Sequence, residues 1–243
     1  MLQGDVVTMP ETDTRPGPGI VADMPRPRTR IYLAAAIVLT VAAIATVPLT
    51  TGHHAKPAEH NAAAYDSACG LTGGSTDLPT TAPTTQWQNI NGWYLPTTTA
   101  YGPGQRSETG AWSCFAHVPG GAVVAAWTIP FRILIADDFA SVVASQTLPG
   151  PGQKALLNNG QGTAKFGPAA KPIGFVVDSY TANRASIRFY LQQGGSDLTC
   201  ATNVSWSAAR DGDWRVELAI DGSTLAGCVR GKPDHYVAWG PIA

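Results

Sequence analysis

Three stretches near the C-terminus alternate strictly between apolar and polar positions. Ala185, Ile187, Phe189 and Leu191 alternate with Ser186, Arg188, Tyr190 and Gln192. After Gly194-Gly195-Ser196 the alternation resumes as Leu198, Cys200, Thr202, Val204 and Trp206 against Thr199, Ala201, Asn203 and Ser205. After Arg210-Asp211-Gly212-Asp213 it returns as Trp214, Val216, Leu218 and Ile220 against Arg215, Glu217 and Ala219. A period of two sends successive side chains to opposite faces, so these runs predict an antiparallel meander with one buried face, joined by glycine-containing turns. Lys171–Tyr180 and His235–Trp239 are candidate edge strands.

Upstream the pattern reads as helical. Pro119-Gly120-Gly121 leads into AVVAAWTI, a nearly all-apolar run that suits a buried helix opening at the proline, with Pro130 expected to kink or end it. Asp137 and Asp138 suit the cap and first turn of a second helix, where negative charge meets the positive end of the dipole. Phe139, Val142 and Val143 then follow at helical spacing. Pro149-Gly150-Pro151-Gly152 is expected to stop that helix, with a short turn through residues 155–157 after it. Helices followed by a meander predict an α+β fold with the helices on the apolar face of the sheet.

One apolar run has neither period. Ile31 to Leu49 contains no charge. At about 1.5 Å per residue it extends roughly 28 Å, close to the roughly 30 Å of a bilayer core. Arg26, Arg28 and Arg30 stand immediately before it, and Lys56 is the only Lys or Arg shortly after it. This asymmetry places the N-terminus in the cytoplasm and the rest of the chain outside. A cleaved signal peptide competes, because Ala43-Ile44-Ala45 resembles a small-residue cleavage site, but the long polar lead and the length of the run favour an uncleaved signal anchor. The expected organisation is a disordered cytoplasmic tail at 1–30, a transmembrane helix at 31–49, a stalk at 50–64 and an extracytoplasmic α+β domain at 65–243. Residues 73–85, rich in Thr and Pro, read as an extended loop.

Composition narrows the function. Charged residues are 14% of the chain against a usual share of about 25%, and 16 basic residues face 17 acidic ones. A net charge of −1 argues against direct nucleic-acid binding, which needs a basic face to displace counterions. The four cysteines lack CxxC spacing, so a common structural zinc site is excluded. His53, His54 and His60 fall in the stalk and read as solvated linker. Ser113, Cys114 and His117 offer a Cys–His pair, but a base three residues away is not how such sites are usually assembled, and a structural half-cystine beside a hydrogen-bonded histidine is the better account. No catalytic residue, cofactor or metal site is expected.

The order of these elements resembles the bridging membrane proteins of type IV secretion and conjugation, whose Gram-positive relative is TcpC. Trp87, Gly92-Trp93-Tyr94-Leu95-Pro96, Cys114-Phe115-Ala116-His117 with Pro119, and Pro149–Gly152 also resemble proteins of actinobacterial mobile elements. The resemblance implies a nuclear-transport-factor-two-like (cystatin-like) cone, helices on a curved antiparallel sheet, and a Trp after the Arg210–Asp213 turn plugging its open end. It further implies a non-enzymatic, self-associating scaffold contacting other membrane proteins of a DNA-transfer apparatus. Two other classes stay open: an envelope module binding a lipid or small ligand among Trp112, Trp127, Phe166, Phe189 and Trp206, and a membrane sensor. Asp178, Tyr180, Tyr190 and Asp197 are the residues that a cone cavity would use for chemistry, although fold alone does not license a site.

All four cysteines lie beyond the apolar run, on the side assigned to an oxidising compartment. Four cysteines allow three connectivities. Their order favours pairing within each half, Cys69 with Cys114 and Cys200 with Cys228.

Overall fold

The computed structural model of the chain describes residues 69, 71, 73–160, 169–209 and 212–241. The tail, the apolar run with Arg26, Arg28 and Arg30, the stalk and Phe166 lie outside the described residues. The extended loop at 73–85 leads into two hairpins, β1 (Gln86–Ile90) with β2 (Trp93–Thr97) and β3 (Gln105–Arg106) with β4 (Trp112–Ser113). These correct the helical reading of the first half. The turn between β1 and β2 is Asn91-Gly92, with φ of 53° and 89°. Both residues adopt the left-handed conformation that a tight hairpin turn needs and that Asn-Gly supplies at least strain.

Helix α1 (Pro119–Ile135) starts at the proline, as its sequence predicts. Its first turn is pressed against the preceding chain, and a Cβ on Gly121 would lie 1.9 Å from the Ala116 carbonyl oxygen. Every residue from Pro119 to Ile133 is buried, so the helix is apolar all round because it is enclosed all round. Pro130 does not end the helix, one of the two outcomes expected of it, because α1 runs on to Ile135. A helix proline removes one hydrogen bond and costs about 3 kcal/mol, which the burial of Phe131 and Ile133 beyond it offsets.

Asp138 caps α2 (Phe139–Gln146), accepting the Ser141 N–H, while Asp137 stays outside the helix. Pro149–Gly152 does not simply terminate structure. Pro151 is the first residue of α3 (Pro151–Asn159), where its fixed φ favours a start and its missing N–H costs nothing.

The sheet has strand order β10-β5-β6-β7-β8, from β5 (Lys171–Thr181), β6 (Arg184–Gln193), β7 (Ser196–Ser207), β8 (Asp213–Glu217) and β10 (Val237–Ala238). Strand β9 (Ala226–Arg230) pairs with the part of β7 that β8 leaves open. All pairings in it are antiparallel. Ala185, Ile187, Phe189, Leu191, Cys200, Thr202, Val204, Trp214 and Val216 are buried on one face, as the alternation requires. The pattern overshoots at its end: β8 stops at Glu217, and Ile220 is 83% exposed at a turn closed by the Gly222 N–H on the Ala219 carbonyl. Inside, Trp127 lies 5.1 Å from Phe189 and 4.3 Å from Phe131, and its indole N–H donates to the Tyr94 carbonyl at 2.8 Å. Helix α1 and the β1–β2 hairpin thereby share one core with the sheet.

Candidate functional site

The start of β8 ties the fold together. The Asp213 carboxylate accepts backbone N–H groups from Cys114 at 2.8 Å, Phe115 at 3.0 Å and Trp214 at 2.9 Å. Cys114 has a φ of 73°, unusual for a residue with a side chain, and the clamp holds it there. Enclosure of the carboxyl pushes its pKa up to about 6, against the opposing pull of the three N–H groups and Arg215. Next to it, Trp214 is 1% exposed and its indole N–H donates to the Ala116 carbonyl at 3.0 Å. The His117 ring stacks on Trp206 at 3.7 Å, with Nε2 against the Ala182 carbonyl.

Cys114 is bonded to Cys69, and Cys200 to Cys228, with Cα–Cα distances of 6.0 and 4.1 Å. The second bridge crosses from β7 to β9 at a bulge, where Gly227 and Cys228 together face Cys200. With its sulfur in a disulfide, Cys114 has no thiol to offer His117 as a nucleophile.

The polar residues considered for chemistry do not converge. Asp178 pairs with Arg188 at 2.7–2.9 Å, and the Tyr190 hydroxyl reaches Asp197 at 3.0 Å. Arg188 and Tyr190 alternate with Ile187 and Phe189, so both pairs stand on the face of the sheet away from the core. Trp112, Trp127 and Phe189 are core residues. Among the described residues no group of three or more His, Cys, Asp or Glu is placed to hold a metal ion, and no helix is long and apolar enough to cross a membrane.

Two surface grooves stand out instead. One, of about 770 Å³, runs beside β10 and is walled by Trp87, Tyr94 and Trp239 with Pro83, Pro172 and Pro241. Trp87 and Trp239 pack at 4.9 Å, and the Trp239 indole N–H donates to the Thr85 hydroxyl at 2.8 Å. The other, of about 450 Å³, is lined by Gln88, Ile90, Arg106, Ser107, Glu108, Trp112 and Arg132. Arg132 projects from the last turn of α1, and its guanidinium holds the 107–110 loop through backbone carbonyls. Burial lowers its pKa, opposed by the charge of Asp137. Sequence reasoning passed over Arg132, although one arginine within an otherwise apolar helix was a legible signal.

The chain is thus an α+β protein whose helices and hairpins close one face of an antiparallel sheet, with two disulfides. It belongs to the family described as domain of unknown function (DUF8175), whose model matches residues 50–231. No curated protein and no solved structure matches the chain significantly.

Proposed function

We propose that the chain is a single-pass membrane protein, N-terminus in the cytoplasm, whose outer domain works by protein–protein contact. In this reading it is a non-enzymatic scaffold of a conjugation or type IV secretion-like DNA-transfer apparatus. It self-associates, needs no cofactor and does not bind the transferred DNA directly. The sheet closed over α1 is read as a cystatin-like cone with Trp214 as its plug.

The observation that carries the reading is the contrast between an interior filled by Trp127, Phe131, Phe189 and Trp214 and an open groove of aromatic rings and prolines beside a two-residue edge strand. Grooves of that kind take extended segments of a partner chain, whose backbone is already close to its bound conformation. The two disulfides support an oxidising compartment for the domain.

The test is deletion of the gene in a strain carrying the element, complemented by the wild type and by Tyr94→Ala. DNA transfer should fall on deletion, recover with the wild type and recover only in part with the groove variant. Transfer that is unchanged on deletion rejects the reading. Cross-linking in intact membranes should give multimers of the full-length chain.

A further inference from the structure

Arg132 is 2% exposed, yet no carboxylate lies within ion-pair distance of it among the described residues. Its Nε–H donates to the Gly110 carbonyl at 2.6 Å, and Nη2 donates to the carbonyls of Ser107 at 3.2 Å and Glu108 at 2.5 Å. Nη1 has no hydrogen-bond partner among the described residues and is not sealed away from the surface. Because a guanidinium is a rigid planar fork, fixing Nε and Nη2 also fixes where the two Nη1 hydrogens can point.

The groove that Arg132 lines contains a second cation. Arg106 is exposed, also has no carboxylate partner among the described residues, and holds its guanidinium 5.9 Å from the Trp112 ring. The Arg132 guanidinium is 5.8 Å from the same ring. Both guanidinium groups bring positive charge to this groove, and an oxyanion there offsets that charge while satisfying the Arg132 donor already held in place. Ile90 and the indole supply apolar surface in the same groove, whose volume falls in the range of small-ligand sites, about 300–1,000 Å³.

We infer that this groove is a binding site for a small organic anion, with its carboxylate or phosphate held by Arg132 and Arg106 and its apolar or aromatic body against Trp112 and Ile90. Glu108 lines the same groove with the ligand's own sign of charge, so it weakens binding and favours ligands of low net charge. The site is independent of the aromatic groove beside β10.

Phenyl phosphate, which carries both an oxyanion and a ring, is a suitable probe. It is titrated calorimetrically into the full-length chain in phosphatidylcholine nanodiscs, with inorganic phosphate as the comparison lacking a body. The probe should bind once per chain and tighter than phosphate. Arg106→Gln should weaken it about tenfold, the loss of one charge-assisted contact. Glu108→Gln should tighten it about twofold to fivefold. Both positions are exposed, so these variants keep the fold even if Arg132→Lys, which loosens the 107–110 loop, does not. Competition by phosphatidylglycerol added to the disc would identify a lipid headgroup as the occupant, and its absence a soluble anion. No binding at millimolar probe, or binding unaffected by both the Arg106 and Glu108 variants, overturns the assignment.

Discussion

The Asp213 carboxylate accepts the backbone N–H of Cys114 at 2.8 Å, joining two residues 99 positions apart in the chain. With the neighbouring bonds to Phe115 and from the Trp214 indole to Ala116, the start of β8 holds three consecutive residues of the segment that leads into α1. The same segment is held from its other side by the Cys69–Cys114 disulfide. Sheet and helix are therefore registered by polar contacts at one end and by packing through the rest of the core.

The clamp makes stability pH-dependent with a definite sign. The folded pKa of Asp213, about 6, lies above its ordinary value of 3.8. The folded state therefore holds the proton more tightly, and its contribution is full below pH 3.8 and is lost as pH rises through 6. In chemical unfolding from pH 4 to pH 7, the stability of the wild type relative to Asp213→Asn should fall by about 2 kcal/mol. A difference that stays flat across this window would show that Asp213 is not the titrating group. Asp213→Ala, which leaves the Cys114 and Phe115 N–H groups without their acceptor, should cost about 2–4 kcal/mol at pH 4, and that cost should shrink toward pH 7 by the same amount as for Asp213→Asn.

Each disulfide closes a long loop, with separations of 45 and 28 residues. On the chain-entropy model each contributes about 4 kcal/mol. Cys228→Ser and Cys69→Ser should each lower the unfolding free energy by roughly that amount. Non-reducing peptide mapping should recover 69–114 and 200–228 peptides, and a 69–200 or 114–228 link would reject the pairing.

Two glycines should respond very differently to alanine. At Gly121 a Cβ meets the Ala116 carbonyl at 1.9 Å, with the Ala116 amide nitrogen at 3.0 Å, so Gly121→Ala forces the start of α1 off its seat. A loss of about 3 kcal/mol or more is expected, at the upper end for overpacking. Gly150 has nothing within 4 Å and an extended backbone with φ of 168°. Gly150→Ala should be close to neutral, because the gain of about 0.4–1 kcal/mol through the unfolded state is offset by the poorer N-cap that alanine makes for α3. Thermal unfolding of the two variants side by side checks both.

The proposed topology rests on Arg26, Arg28 and Arg30. Labelling of single cysteines introduced into the polar segments should, in intact cells, reach positions beyond 60 and spare those before 30. Moving the three positive charges to the other side of the apolar run should reverse that pattern. Label on the tail alone would invert the model of the chain.

The sequence by itself determined which side chains face the core in β6, in most of β7 and in β8, because in a strand the direction of each side chain follows from its neighbours alone. It likewise determined where α1 and α2 begin, since Pro119 and Asp138 act within one turn of themselves. The Asn91-Gly92 turn was equally local and equally legible, and the helical reading of the first half missed it. What only the tertiary structure decided depends on groups far apart in the chain. Pro130 stays inside a helix because the surrounding core encloses both sides of it, and no helix rule contains that term. Asp213 finds its donors about 100 positions upstream. Arg132 and Arg106 line one groove only because the 105–113 hairpin lies against the end of α1, bringing both guanidinium groups to Trp112. Chain spacing carries no information about such meetings, because they are set by how whole elements pack.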